Sequence, residues 1–420
     1  MGTDAPVKAL LMAFSNDAPA ALYTINRLKP EKLCFFLAEP SKQTVETAIQ
    51  PHVAQMPRRW DWVVTPNPHS FADSYRPLAQ TFPDLLRTWD VGPGELVLDL
   101  TGATPAMAAS MMLVGSGTSS RIVGMAPAAG DPSNKAEAVD LEGQARLWLQ
   151  SNPWDDMAAA ARRDGGDLFN SGTYEAAAAL FRMIEVRVSG GQKPLYHALA
   201  DLADGYGFWE RFQYRQAWEK LKGAYKALEM ASVWGGPPGL KTVLPAIKAN
   251  MGFLEKLVLD PNEVKELLAL DLLAHVRRRA EMDRDAERAL VTLIRALEAF
   301  AQYQLFKQHK IKSWDVPVEA LPQALQETCR TCHLSDLDGK YKLPLHEQFR
   351  ALAGLGNQMG QTFLAQWAKM KPLLDAAHQA VLGHGFEPVK AERVHQLYEI
   401  VIKVTGVSDT SLPKFPVLNL

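Results

Sequence analysis

Residues Leu96-Val-Leu-Asp99-Leu-Thr101-Gly102-Ala103-Thr104-Pro105-Ala-Met107 decide how this chain folds. An apolar run stops at Asp99, crosses a small polar turn from Thr101 to Thr104, and enters Pro105-Ala-Met107-Ala-Ala-Ser-Met-Met-Leu. The order reads as a buried strand, a tight turn and a helix with proline in its first turn, where a missing N–H costs nothing. Gly102 admits close backbone approach. Two threonine hydroxyls and the free amides of a helix start suit an anionic or ribose-bearing ligand. The same words also describe an ordinary capped connection, so the neighbouring segments have to decide.

Val7 to Phe14 is an apolar strand followed by Ser15-Asn16-Asp17 and a helical stretch. Leu33–Leu37 and Trp62–Thr65 give a second and a third strand, Leu96–Asp99 the fourth and Arg121–Met125 a fifth. Strands alternating with helices predict an open parallel sheet covered on both faces. Ligands of such sheets sit at the carboxyl ends of the strands, where Ser15-Asn16-Asp17 and Thr101 to Thr104 both fall.

With 420 residues, 47% of them hydrophobic, and a net charge of −2, the chain has room for two or three ordinary domains. The near-neutral charge argues against a non-specific duplex-DNA binder, though not against an enzyme holding RNA in a local groove. No apolar run is long enough to span a bilayer, so no membrane association is expected. Three cysteines and an N-terminus that enters a strand at once point to a reducing, cytoplasmic setting.

The expected organisation is α/β followed by all-α. It comprises a Rossmann-like domain over 1–150, a helical spacer over 151–260 and a helical domain over 261–420, with the first boundary between Pro127 and Pro153. Within the spacer, Phe169…Tyr174…Ala177…Phe181 and Trp209…Tyr214…Ala217…Leu221 repeat one spacing, which reads as two helical hairpins with core aromatics. Asp285 to Gln304 is the best-patterned helix, with Leu290, Leu293, Ile294, Leu297 and Phe300 as its apolar stripe. Arg295 and Glu298, three apart, can pair on its surface or reach into a site between helices.

The first 150 residues resemble the CARF domain, the Rossmann-like sensor of CRISPR-associated proteins. Its hallmark strand ends in Asp-x-Thr-Gly-Gly-Thr-Lys-x-Met. Asp99, Thr101, Gly102, Thr104 and Met107 match, while Ala103 stands where the second glycine is usual and Pro105 where lysine is usual. The resemblance implies a cyclic oligoadenylate, tetra- or hexa-adenylate, bound across the two-fold axis of a homodimer as an allosteric activator. No other cofactor is implied. Ser15, Asn16, Asp17, Thr101, Gly102, Ala103, Thr104, Pro105 and Met107 would line the site.

Near the other end, Ala377-His378-Gln-Ala-Val-Leu-Gly-His384-Gly-Phe-Glu-Pro388 resembles the active-site segment of the HEPN domain, a helical ribonuclease module. That motif carries Arg four to six residues before His. Counting back from His384, six intervening residues lead to Ala377, and the shorter spacings fall on His378 and Gln379, so no spacing supplies an arginine. The same branch has Arg-x-x-Glu-x-x-x-Gln, matched by Arg295, Glu298 and Gln302, and a tail matched by Lys414-Phe-Pro-Val-Leu. The resemblance implies a type III CRISPR ancillary effector that cleaves single-stranded RNA without metal. His384 and His378 would transfer protons, Arg295 and Glu298 would support them, and no metal site is expected.

Such cleavage needs a base for the 2′-hydroxyl, an acid for the 5′-oxygen and a cation for the phosphorane-like transition state. Seven residues along a helix return to one face, so Ala377 is expected beneath His384, offering a phosphate nothing. The chain is therefore expected to be a weak or inactive nuclease, with the natural or engineered origin of Ala377 left open. The alternatives are a non-catalytic sensor of the oligoadenylate, or a CARF pocket that cleaves its own activator with Ser15 or Thr101 placing the ribose. Cys329-x-x-Cys332-His333 and Asp336-Leu-Asp338-Gly339 read as chance and a turn.

Overall fold

The structure, a computed structural model, describes residues 7–128, 136–259, 265–280 and 285–420. It divides into two compact units, residues 1–164 with 179–197, and residues 165–178 with 198–420.

The first unit is built on β1 (Ala9–Phe14), α1 (Ala18–Leu28), β2 (Lys32–Ala38), α2 (Ser41–Thr44), β3 (Arg59–Thr65), α3 (Phe71–Thr88), β4 (Leu96–Asp99), α4 (Pro105–Gly115), β5 (Ser119–Pro127), β6 (Ala136–Leu141) and β7 (Gln144–Ser151). These form one sheet in the order β3-β2-β1-β4-β5-β7-β6. β1 to β5 are parallel, and β7 runs antiparallel to both its neighbours. Period-two alternation sends Leu10, Met12, Phe14, Phe35 and Leu37 to one face, with Ile25 and Leu28 of α1. Leu11, Ala13, Cys34 and Phe36 go to the other, with Leu78 and Phe82 of α3 and Met107 and Met111 of α4. Burial on both faces is why these strands read as continuous apolar runs.

The expected parallel sheet is in fact mixed, because between Pro127 and Pro153 β6 and β7 extend it as an antiparallel hairpin. β6 is the edge strand and carries Glu137 and Asp140, while β7 beside it offers only the short apolar run Leu147–Leu149, with Trp148 buried. The Glu142-Gly143 turn was the available signal.

The rest of the chain is helical: α5 (Trp154–Asn170), α6 (Tyr174–Arg187), α7 (Lys193–Glu210), α8 (Tyr214–Val233), α9 (Leu240–Val258), α10 (Glu266–Arg278), α11 (Ala286–His309), α12 (Gln323–Cys332), α13 (Leu345–Gly354), α14 (Gln358–His378) and α15 (Ala391–Thr405). Of the echoed residues, Phe169, Tyr174, Ala177, Phe181, Trp209, Ala217 and Leu221 are buried, while Tyr214 is half-buried and donates its hydroxyl to Asp271 at 2.9 Å. In the second unit, α10, α11, α13, α14 and α15 share one core containing Leu273, Leu293, Leu297, Phe300, Phe349, Phe363, Met370 and Leu397. Asp285 caps α11 by accepting from the Arg288 amide at 3.0 Å.

Residues 412–419 return across the second unit. The Asn170 side chain exchanges two hydrogen bonds with the Leu418 backbone, 2.9 and 2.8 Å, and Asn250 donates to the Lys414 carbonyl at 3.0 Å. Phe415 lies among Tyr174, Tyr206 and Trp209, with the Arg278 guanidinium 3.9 Å from its ring centroid. Among the described residues, no helix is long and apolar enough to cross a membrane.

Candidate functional site

At the carboxyl edge of the sheet, β4 ends in a buried carboxylate. Asp99 Oδ1 accepts from the Thr101 amide at 2.8 Å and the Thr101 hydroxyl at 2.6 Å. The Thr101 hydroxyl in turn accepts from the Met125 amide of β5 at 3.1 Å. Burial pushes the Asp99 carboxyl up to about 6, against the Thr101 and Thr24 groups that lower it, while Asp17 adds to the rise. Thr104 caps α4, accepting from the Met107 amide at 3.2 Å and donating to the Pro68 carbonyl. A Cβ on Gly102 would lie 2.6 Å from the Ala13 carbonyl oxygen and 3.2 Å from the Ser15 amide. The glycine therefore lets the β4 turn sit directly against the end of β1.

This geometry sorts the sequence-derived ligand residues. Ser15, Asn16 and Pro105 are exposed, and Gly102, Ala103 and Thr104 are half-buried beside them. Met107 of α4 is a core residue, 1% exposed. Asp17 caps α1 through the Ala20 amide and pairs with Arg146 of β7, and Thr101 spends its hydroxyl twice within the protein. Both shape the edge instead of presenting free groups to it. Arg146 is the residue that sequence reasoning missed, because it belongs to the unrecognised hairpin. It pairs with Pro127 across β5 and β7, which brings a guanidinium to the ligand edge.

In the second unit, His378 closes α14 and His384 stands in the following turn. The His384 amide donates to the His378 carbonyl at 2.8 Å. The two imidazoles lie parallel, 9° apart with centroids 6.2 Å apart, and both residues are exposed. Glycines make this fold-back possible: a Cβ on Gly383 would lie 2.2 Å from the Ala377 oxygen, and one on Gly385 2.2 Å from the Gln379 oxygen. His384 thus approaches His378 through a turn, not through the helical repeat expected from the sequence.

Ala377, expected beneath His384, is 4% exposed and packs within the apolar core of this unit. An arginine there would bury its charge. Gln379, one of the shorter-spacing positions, is instead exposed at the C-cap of α14. Arg295 bonds Glu298 at 3.2 Å and Gln302 at 3.1 Å, and Glu298 accepts from Gln348 of α13 at 3.4 Å. That set forms a brace between α11 and α13. The sequence missed Glu287, whose carboxylate accepts from the Leu382 and Val389 amides of the histidine turn at 3.3 and 2.9 Å. No local pattern signals a carboxylate that acts on residues 95 and 102 positions away.

Among the described residues, no group of three or more His, Cys, Asp or Glu is placed to hold a metal ion. Cys34, Cys329 and Cys332 are free thiols.

Residues 158–254 match the family described as the Csm6 6H domain, and residues 261–408 match the Csm6 HEPN domain, which contains the histidine turn. The chain belongs to the CRISPR-associated CARF–HEPN family. Its HEPN domain is of a ribonuclease family, and the chain is accordingly an ancillary effector of type III CRISPR systems. Among solved structures, Enterococcus italicus Csm6 bound to cyclic hexa-2′-fluoro-hexa-dAMP is similar, with 14% identity, 96% of each chain covered and a TM-score of 0.59. That likeness extends the shared fold over the N-terminal sheet. No curated protein matches the chain.

Proposed function

We propose that this chain senses a cyclic oligoadenylate with its N-terminal sheet edge and, in response, acts on single-stranded RNA at the His378–His384 turn. The observation that carries the reading is the exposed parallel imidazole pair inside the stretch that matches a HEPN domain. Two imidazoles on one face can divide the proton transfers of metal-free cleavage. One takes the 2′-hydroxyl proton and the other protonates the departing 5′-oxygen, leaving a 2′,3′-cyclic phosphate. The activator class is supported by the exposed Ser15 and Asn16 beside the β4 turn, and by the cyclic hexa-adenylate analogue held by the Enterococcus italicus relative. A two-fold ring binds most simply across a homodimer, each protomer supplying one sheet edge. The cell compartment that fits is the cytoplasm.

The motif's cation is missing from this turn, and Gln379 is the position that can receive it. Gln379→Arg places a guanidinium at the exposed helix end, where it should raise activator-dependent cleavage by at least ~100-fold, the scale of one transition-state electrostatic contact. Ala377→Arg should instead destabilise the HEPN core by about 3 kcal/mol or more, the cost of an unpaired buried charge. The assay follows labelled single-stranded RNA with cyclic tetra- and hexa-adenylate, with and without chelator. His384→Ala in the Gln379→Arg background should remove the gain. A Gln379→Arg protein that stays inert with every oligoadenylate, or cleaves only with added metal, overturns the ribonuclease reading. A non-catalytic sensor that binds the ring then takes its place. Self-cleavage of the activator is disfavoured because the Thr101 hydroxyl is bonded to both Asp99 and Met125.

A further inference from the structure

The histidine turn runs from the end of α14 to the start of α15, and its internal bonds join it only to itself and to the last residues of α14. The Glu387 amide donates to the Gln379 carbonyl at 3.0 Å, and the Gly383 and Gly385 amides donate to the Ala380 carbonyl at 2.9 and 3.2 Å. Val381, Leu382 and Phe386 are exposed, so apolar packing reaches the turn mainly at its two ends, through Ala380 and Val389. Glu287, in the first turn of α11, supplies a tie from another element. One carboxylate oxygen accepts from Leu382, just before the Gly-His-Gly step, and the other from Val389, four residues beyond Gly385.

We infer that Glu287 is the positioning residue of the histidine pair. It clamps both ends of the turn to α11, so that the two imidazoles hold the spacing that proton transfer needs. The inference rests on the ribonuclease reading for its consequence in catalysis, and on the hydrogen bonds alone for its structural part. The chemistry suits a carboxylate: its two oxygens accept from two amides at once, and bonds to a charged acceptor are about twice as strong as neutral ones. Glu287 also sits in the first turn of α11, where a negative side chain suits the positive end of the helix dipole. Glutamine retains one acceptor oxygen but presents its NH₂ to the second amide, so it can keep only half of the clamp. Aspartate, one methylene shorter, cannot span both amides in the same pose.

The same helix carries Arg295, about 12 Å further along at 1.5 Å per residue. α11 therefore braces α13 through Glu298 and Gln348 at one level and the histidine turn through Glu287 at another. A shift or rotation of α11 would move the imidazoles directly through the clamp.

The test uses the full-length protein and two readouts. Hydrogen exchange at the Leu382 and Val389 amides should be slow in the parent chain. In Glu287→Ala both amides should speed up by at least ~10-fold, the loss of one charge-assisted bond each. In Glu287→Gln one amide should remain slow. Cleavage is measured in the Gln379→Arg background, where Glu287→Ala should lower kcat by ~100-fold with KM little changed, as expected of a misplaced catalytic group. Glu287→Gln should recover part of kcat. Unchanged exchange at both amides in Glu287→Ala and Glu287→Gln overturns the clamp. A matched fall in kcat for both variants, or an effect confined to KM, overturns its role in positioning. If no background cleaves RNA while the amides are released as described, the clamp stands and the ribonuclease reading is what fails.

Discussion

Replacing Asp99 with asparagine tests whether this carboxyl shapes the sensor turn through its hydrogen bonds or through its charge. Asp99 is fully buried, and its carboxyl is pushed from 3.8 to about 6 by loss of hydration. A carboxyl raised on folding binds a proton more tightly in the native state. Its contribution is therefore fully present below about pH 4 and lost as pH rises through about 6. The gap corresponds to about 3 kcal/mol between those limits. Asparagine keeps an acceptor for the Thr101 amide and hydroxyl, and its NH₂ can meet the neighbouring Thr24 hydroxyl. Weaker neutral bonds to Thr101 offset part of the gain, about 1 kcal/mol. Asp99→Asn should then match or trail the parent near pH 4 and exceed it by about 1–2 kcal/mol at pH 8, with oligoadenylate affinity retained. Urea unfolding of the full chain at pH 4, 6 and 8, followed on the sensor transition, gives the difference. A gap that is the same at all three pH values, or a carboxyl resonance of Asp99 that titrates near 4, refutes the reasoning.

Gly102→Val should unfold the sensor domain, since its Cβ would strike the Ala13 carbonyl, and circular dichroism would show the loss of the sheet signal. Asn16→Trp leaves that contact alone and should abolish oligoadenylate binding in a still-folded protein, as read by calorimetry. Phe415→Ala should cost the second unit about 2–4 kcal/mol, because the half-buried ring contacts three aromatics and the Arg278 guanidinium; a thermal-melt change equivalent to under about 1 kcal/mol would count against that role.

The parallel core of the sheet was legible because strands covered on both faces carry unbroken apolar runs, such as Leu33–Leu37, whatever their partners. β6 and β7 escaped because the edge strand β6 mixes Glu137 and Asp140 among small residues and the apolar run of β7, Leu147–Leu149, is only three residues long. At the C-terminal site the residues were legible and their arrangement was not. Asp375-Ala-Ala-His-Gln-Ala-Val-Leu has strong helical propensity, so a helical repeat was the natural geometry, and only the tertiary contacts of Gly383 and Gly385 reveal the fold-back. The burial of Ala377 has the same origin: a small apolar residue fits either a surface or a core, and the packing of α14 into the shared core of the unit decides. Arg146 and Glu287 act on partners far away in sequence, for which no spacing rule exists. The sequence suggests that Gly102 lets backbone approach a ligand, whereas the close neighbours in the structure are the Ala13 carbonyl and the backbone of Phe14 and Ser15.

The sensor edge and the histidine turn share one construction. In each, a regular element ends, glycine allows the next segment to lie against backbone, and a carboxylate gathers the amide of that segment: Asp99 on Thr101, Glu287 on Leu382 and Val389. Groups whose hydrogen-bonding capacity is already used inside the protein, such as Thr101 and Asp17, cannot also bind ligand without breaking what holds the site. Groups left exposed, namely Ser15, Asn16, His378, Gln379 and His384, can change partners at little structural cost. Substitutions should therefore separate into two classes. Variants of the carboxylates and glycines will move stability and exchange rates first and activity as a consequence, whereas variants of the exposed groups will move binding or turnover with melting unchanged. Were Thr101→Val to leave stability intact while abolishing activator binding, Thr101 would belong with the exposed groups, and the assignment of ligand contacts from unused hydrogen-bonding capacity would be wrong at the position where the sequence motif is strongest.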